Sequence, residues 1–521
     1  MNDTSTANPP ALNVDTRSVL LVSILASSMA FIDGTALNVT LPVLQADLGA
    51  TGSQLLWILN AYLLMLAALI LIGGALGDRV GRKKVFAAGI VLFIASSLLC
   101  GLAASTGLLI VSRVFQGMGG ALMIPGSLAI LSANFPSHLR GRAIGTWSAA
   151  TTVVMIAGPV LGGLLADLGL WRAVFLINLP IGLLALVLLI TRVPESRAET
   201  TVGSLDIPGA LLVSLGLAGI TYGLLSAPDL GLSNPQVFLT LAGGCLALMI
   251  FVLVEKRTKN PMLPLHLFQS RLFTGANLLT LFLYGALSVA LLFYSLNLVQ
   301  AQNYSPSLAG LAYLPFVALL ALLSRWAGGL VDRVGPRLPL IVGPALAGLG
   351  FLLLALPGQT AGPAQFWTTF FPGIAVFGIG MGITVAPLTT TVMSALPVHY
   401  SGTASGVNNA VSRVAGVIAI AILGALALSL FQTNLASRSA ALNLPAPLQQ
   451  TLLAGANRLG DTPVPPGLST AEARSVQAAI QQSFIATYRI VLGICAALAW
   501  ISSLMSAWFI GGLAKSSQAE T

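Results

Sequence analysis

Apolar runs of about twenty residues recur almost from end to end of this 521-residue chain, separated by short polar connections. A helix rises ~1.5 Å per residue, so a run of roughly 20 residues is what ~30 Å of hydrocarbon demands. Within lipid every backbone N–H and C=O needs an internal partner, which leaves only helices and closed barrels. Barrel strands show period-two alternation in short segments, and no such alternation occurs here. The chain therefore reads as an all-α integral membrane protein. Its composition agrees, with 56% hydrophobic and only 7% charged residues and a mean hydropathy of +0.92, far from soluble domains.

Apolar runs set against turn signals predict spans near 18–40, 53–76, 85–104, 106–133, 143–166 and 171–192, then 206–226 and 236–255. Six more follow near 272–298, 308–331, 338–357, 365–394, 404–430 and 486–512. Short cytoplasmic loops retain Lys and Arg, and here the bias is one-sided. Arg79, Arg82, Lys83 and Lys84 follow the second span, Arg140 and Arg142 the fourth, and Arg192 and Arg197 the sixth. Lys256, Arg257 and Lys259 follow the eighth, and Arg333 and Arg337 the tenth. The loops after spans one, three, seven, nine and eleven carry none. Both termini are thus expected in the cytoplasm, with tails at 1–17 and 513–521 and an even number of spans.

The segment Met1–Asp15 is polar, contains Pro9 and Pro10, and lacks a signal peptide's basic region and cleavage site, so the first span is expected to be retained. Cys100, Cys245 and Cys495 lie in apolar runs, and His138, His266 and His399 are far apart in short connections. No disulfide framework, metal site or cofactor is expected. The net charge of +9 is spread through the loops rather than gathered into a patch, which argues against a nucleic-acid partner.

Asp78–Gly81 and Asp332–Gly335 both read Asp-Arg-Val-Gly, each just after a Gly-rich span end, with Leu76 and Leu330 also in register. Two copies running in the same direction on the same side imply two parallel-related bundles with a substrate cavity between them. The expected organisation is a six-helix bundle at 18–192, two inserted helices at 193–260 and a second six-helix bundle at 261–512. The one long connection, 432–485, falls outside the cell on this topology. Pro463, Pro465 and Pro466 mark a turn there, and Thr470–Gln482 reads as a surface helix. A solvated cap is the plain reading, and a substrate or partner role the other.

Ionisable groups inside a bilayer cost roughly 2.5–3.5 kcal/mol on insertion scales and so mark cavities, pathways or buried pairs. Asp33 lies midway along the first span and Arg113 in the fourth, which makes them natural partners. A buried pair acting as helix glue is the structural alternative to coupling or substrate binding. A carboxylate in such a place can carry a proton, because burial favours its neutral form and a nearby arginine its charged one. Arg413 and Arg325 also fall within spans, the latter near enough to Asp332 to snorkel. An interior with one acid and several arginines also suits anionic or zwitterionic cargo.

Gly74–Lys84 joins spans two and three; its glycines permit a tight turn, and positive-inside topology accounts for its basic residues but not for Asp78. In the fifth span Gly158 and Gly162 share one helix face, beside Pro159 and Gly163, a pattern that gives close packing and a kink.

Together these motifs resemble the major facilitator superfamily, specifically the fourteen-span drug:proton antiporters of the EmrB/QacA type, over nearly the whole chain. The resemblance implies a gating role for the loop residues Gly74, Asp78, Arg79, Gly81, Arg82 and Lys83, repeated at Asp332 and Arg333. In it Asp78 meets the N-terminal end of a second-half helix, here the thirteenth span. Asp33, Thr35, Asn38 and Pro42 match the first-span signature, and Arg113, Gln116 and Gly117 the fourth-span signature linked to proton transfer. Gly158, Pro159, Gly162 and Gly163 match the antiporter signature of the fifth span, and Trp171, Arg172, Phe175, Asn178 and Pro180 the start of the sixth. The second half departs from some multidrug members by having no intramembrane acid, so dicationic drugs fit poorly.

The expected function is proton-coupled efflux of small amphipathic compounds by alternating access, powered by the proton gradient, in a bacterial inner membrane. Small-molecule substrate, protons and lipid are the expected partners, with a monomeric protein and a periplasmic adaptor left open. Uptake or lipid-related export could use the same cavity. A receptor or membrane enzyme is the remote alternative, since the chain lacks a reactive constellation or a Walker-type motif.

Overall fold

The computed structural model describes residues 15–196, 206–259, 261, 263–396, 401–442 and 444–510. At some helical positions, including Asp78, Arg140, Arg142, Arg325, Asp332 and Arg333, it describes the backbone alone. His399 and the expected tails, apart from residues 15–17, lie outside the described residues.

Long helices account for nearly all of the described chain. The first six are α1 (Thr16–Leu48), α2 (Gly52–Val80), α3 (Arg82–Gly101), α4 (Thr106–Asn134), α5 (Ser137–Asp167) and α6 (Asn178–Arg192), the last led by a short helix at Ala173–Leu176. Next come α7 (Ile207–Leu230) and α8 (Pro235–Arg257). The remainder are α9 (Arg271–Leu296), α10 (Leu314–Val334, led by Pro306–Leu311), α11 (Arg337–Ala355), α12 (Phe371–Ser394), α13 (Ser401–Ala440) and α14 (Thr470–Phe509). Thirteen helices among the described residues are long and apolar enough to cross a membrane. The remaining one, α5, is 31 residues long, and Val153–Asp167 is its apolar stretch.

Local chemistry sets many of the boundaries. Thr51 and Gln54 form a capping box that starts α2, and Ser469 and Glu472 form another that starts α14. Asp15, Ser105 and Ser270 cap α1, α4 and α9 by accepting backbone N–H groups. Between α1 and α2 the chain reverses at Gly49, whose φ of +61° suits glycine.

Two predicted boundaries need correction. The apolar part of α14 begins well inside a continuous 40-residue helix, so Thr470–Gln482 is its first turns rather than a separate surface helix. α13 likewise continues to Ala440, past the predicted end at 430. Hydropathy registers only the lipid-immersed part of a helix, whereas backbone hydrogen bonding carries the helix onward into polar sequence. The connection between these helices is therefore 441–469 rather than 432–485, and it contains a helix at Ala446–Ala454 and a tight turn at Gly455–Asp461.

α1 to α6 pack mainly among themselves, with close pairs α2–α4, α3–α4 and α1–α5. α9 to α14 do the same through α11–α12, α11–α14, α10–α12 and α9–α14. Two principal seams join these sets: α2 lies along α13, and α5 packs on Pro306–Leu311. α7 and α8 pack on each other, and α7 also contacts α13 and α2 beside the first seam.

Candidate functional site

Arg113 and Gln116 stand one turn apart on α4, so their side chains share a face. That face meets α1 at Asp33, where Arg113 Nη1 ion-pairs with Asp33 Oδ2. Gln116 Nε2 donates to the other carboxylate oxygen at 2.9 Å and to Ser97 Oγ at 2.9 Å. Arg113 Nη1 also donates to Gln116 Oε1 at 2.6 Å, and its Nε donates to the Ile58 carbonyl at 3.1 Å. The Gln116 amide orientation follows from this pattern, because arginine only donates and an ionised carboxylate only accepts. Asn178 extends the network by donating to Ser97 Oγ at 3.4 Å.

The guanidinium is also flanked by aromatic faces, with Tyr62 at 4.3 Å and Phe175 at 5.9 Å from ring centroid to Cζ. Asp33 is 0% and Arg113 1% exposed. The pair is therefore closed to solvent within the first six helices. Removing one partner of such a buried pair typically costs about 3–5 kcal/mol, since the other charge is left uncompensated.

Not every first-span residue joins this centre. Thr35 Oγ1 donates to the Phe31 carbonyl at 2.7 Å, and Asn38 Nδ2 to the Gly34 carbonyl at 3.2 Å, so both bond to their own helix. The sequence reading missed Ser97, Ile58 and Tyr62, since neutral polar groups and a carbonyl carry no distinctive signal in an apolar run. Gly117 contributes by lying against the Tyr62 backbone, where a Cβ would meet Met65 Cβ at 2.9 Å.

Arg413 lies across the seam on α13. It is half-buried, and its Nε has no hydrogen-bond partner. Asp33, Arg113 and Arg413 all lie close enough to the Tyr62 hydroxyl to act on it electrostatically.

The glycines of α5 allow backbones to touch. A Cβ at Gly158 would strike the Thr35 side chain, and one at Gly162 would lie 2.5 Å from the Ala36 carbonyl oxygen and 2.8 Å from Ala36 Cα. Gly163 instead abuts Pro306 and Ser307 of the other set, while Gly310 abuts the Pro159 carbonyl. This one motif therefore packs α5 both onto α1 and across the seam.

At the α2–α3 turn, Gly81 adopts φ +131°. Arg82 N donates to the Ser196 carbonyl at 2.9 Å, Lys83 N to Glu195 Oε1 at 2.9 Å, and Lys83 Nζ to the Ile190 carbonyl at 2.9 Å. Glu195 thus anchors the turn to the end of α6, a contact with no sequence signal. Arg79 is exposed, and Gly74 is half-buried with Pro125 Cβ 3.6 Å from where its Cβ would be. The side chains of Asp78, Asp332 and Arg333 lie outside the described residues, as does the expected contact of Asp78 with α13.

At the opposite end, Gln300 Nε2 donates to Gln45 Oε1 at 2.9 Å, and Gln45 Nε2 donates to the Arg458 carbonyl at 3.0 Å. Leu459 is fully buried there with φ +59°. The two sets are therefore joined at this end by the Gly455–Asp461 turn as well as by direct side-chain contact.

Known structures share this architecture. A bacterial homologue of the human lysosomal transporter Spinster, in an inward-facing unoccupied conformation, superposes with a TM-score of 0.65 over 95% of this chain and 98% of its own, at 19% identity. Among curated proteins, the multidrug resistance protein Stp of Mycobacterium tuberculosis is 33% identical, covering 78% of this chain and 74% of its own. The tetracenomycin C resistance and export protein of Streptomyces glaucescens is 30% identical, covering 94% and 90%. The puromycin resistance protein of Streptomyces alboniger is 34% identical, covering 78% and 80%. The family model for the Major Facilitator Superfamily matches residues 23–420, and the chain is a multi-pass membrane transporter belonging to that superfamily.

Proposed function

We propose that this transporter exports small amphipathic compounds in exchange for protons, with its two six-helix halves alternating access to a compartment between them. The observation that carries this reading is the enclosed centre in which Asp33 is held by Arg113 and Gln116. A carboxylate with one tightly bound cation has two neutral ways to exist, paired with the arginine or protonated without it. Exchange between them converts proton uptake into a change of helix packing, because Arg113 also holds the Ile58 carbonyl of α2, and α2 forms the seam with α13.

The resistance and export functions named for Stp and for the tetracenomycin C protein support an outward direction. A proton entering down its gradient supplies about 1.4 kcal/mol per pH unit, and the membrane potential about 2.3 kcal/mol per 100 mV per charge. One proton per cycle suffices for modest accumulation outside. The reading also includes a bacterial plasma membrane, cytoplasmic termini and an α2–α3 turn at the cytoplasmic face, consistent with its Arg82, Lys83 and Lys84. The α2–α3 turn and its repeat at Asp332 gate the cytoplasmic side.

Purified protein in proteoliposomes with an imposed pH gradient tests the reading. Gradient-driven cargo flux accompanied by proton movement is expected, and Asp33→Asn should abolish both. Full coupled flux in that variant would reject Asp33 as the proton carrier.

A further inference from the structure

We infer that the compartment between the halves selects cargo with an acidic group on an aromatic body, a carboxylate or phenolate, and that Arg413 is the residue that receives it. The inference rests on the transport reading above and adds the charge of the substrate to it.

Asp33 cannot serve a cation in this state. Its two carboxylate oxygens are taken by Arg113 and Gln116, and it is 0% exposed. Arg413 is in the opposite condition. Among the described residues it has no hydrogen-bond or ion-pair partner, and its Nε is buried without one. Charged groups inside a protein are normally paired, and an intramembrane charge without a partner points to a ligand or ion pathway.

Its placement agrees. Along α13, a Cβ at Gly406 would lie 3.2 Å from Leu71, one at Gly416 3.0 Å from Ser288 and 3.9 Å from Leu63, and one at Gly424 2.5 Å from Leu56. Arg413 falls on the same helical stripe, seven residues after Gly406 and three before Gly416, so it faces α2 across the seam and α9 of its own half. Neither α9 nor α13 contains an Asp or Glu.

The polar groups described on this face are neutral, and Asn60 on the facing stripe of α2 is buried with neither side-chain atom partnered. Asn408 Nδ2 donates to Asn277 Oδ1 at 3.2 Å and to Thr280 Oγ1 at 2.7 Å, and Ser288 Oγ donates to the Tyr284 carbonyl at 2.9 Å. Among the described side chains of α2, α9 and α13, none is an acceptor with negative charge. A carboxylate or phenolate supplies one and gains charge-assisted hydrogen bonds from a guanidinium. Tyr284 of α9, half-buried one turn from Ser288, offers the ligand's apolar body an aromatic neighbour.

Three probes of one shape separate the possibilities: 2-naphthoate, 2-naphthamide and 2-naphthylmethylamine, titrated against the purified full-length protein by fluorescence. The naphthoate is expected to bind most tightly. Arg413→Gln should weaken it by roughly 10- to 100-fold, the range for loss of a charged hydrogen bond, while leaving the amide within about 3-fold. Arg413→Lys should restore part of the naphthoate affinity. Equal losses for all three probes, preference for the amine, or no binding of any probe would each overturn the assignment. In proteoliposomes the two readings part company: charge-selective binding without gradient-driven flux defeats only the transport reading. Gradient-driven export of the amine, indifferent to Arg413→Gln, defeats only this one.

Discussion

Asp33 and Arg113 lie eighty residues apart in sequence and form an ion pair that solvent does not reach. Their value to the fold is conditional. Two charges withdrawn from water pay a desolvation cost that the pair only roughly repays, but a single survivor is left with the cost alone. Arg113→Ala is therefore expected to destabilise the protein by about 3–5 kcal/mol. The neutral double variant Asp33→Asn with Arg113→Gln should lose clearly less. Thermal unfolding of purified protein in detergent measures both, and losses that merely add would show that the two groups do not interact in the way the geometry indicates.

The glycines of α5 make two different contacts, so substitution should have two different consequences. Gly162→Ala drives a methyl into the backbone of Ala36 on α1, inside one half, where neither neighbour can yield cheaply. Overpacking of this kind costs about 1–3 kcal/mol and should lower stability in every conformation. Gly163→Ala drives its methyl into Pro306 and Ser307, in the other half. That clash is relieved by separating the halves, so this variant should favour the state open at the α1–α2 end with little loss of overall stability. Thiol labelling of cysteines introduced at that end reads the shift, and unchanged labelling would contradict it.

The helical architecture was legible because the bilayer imposes it. Every span must be long and apolar, and α1 to α14 each left an apolar run in the sequence. Asp33 and Arg113 stood out for the same reason, since lipid makes a charge conspicuous. Their neighbours did not: Ser97 and Tyr62 are unremarkable in sequence, and only the packing of α2, α3 and α4 brings them to the pair. Glu195 was equally silent, because its role at the α2–α3 turn depends on where α6 ends. The first turns of α14 were misread as a separate helix, since the capping box at Ser469 and Glu472 declares a start and hydropathy says nothing of continuity.

Gln45 and Gln300 fasten the halves at the α1–α2 end through a bond of 2.9 Å, reinforced by the Arg458 carbonyl. A neutral hydrogen bond contributes about 0.5–1.5 kcal/mol, enough to shift a two-state equilibrium by roughly 2- to 12-fold. Gln300→Leu should lose the bond, leave the Gln45 carbonyl without this donor, and raise the population open at this end by about that factor. Distances between spin labels placed on α1 and α9 would show it. An unaltered distance distribution would mean that the glutamine contact contributes nothing to closure.

The turn that completes this closure contains its own titratable group. Burial at Asp461 raises its carboxyl above the ordinary carboxylate range, with Arg458 opposing only in part. The docked turn thus favours the neutral acid. Its contribution to docking is fully present below the ordinary carboxylate value and is lost as pH rises through the raised one. Acid should therefore hold the Gly455–Asp461 turn in place, and neutral pH should loosen it. Asp461→Asn carries no ionisable proton and should keep the turn docked across the same range. Amide hydrogen exchange in this segment, corrected for the intrinsic pH dependence of exchange, distinguishes the cases. If the wild type and Asp461→Asn showed the same residual change with pH, another group would control the docking.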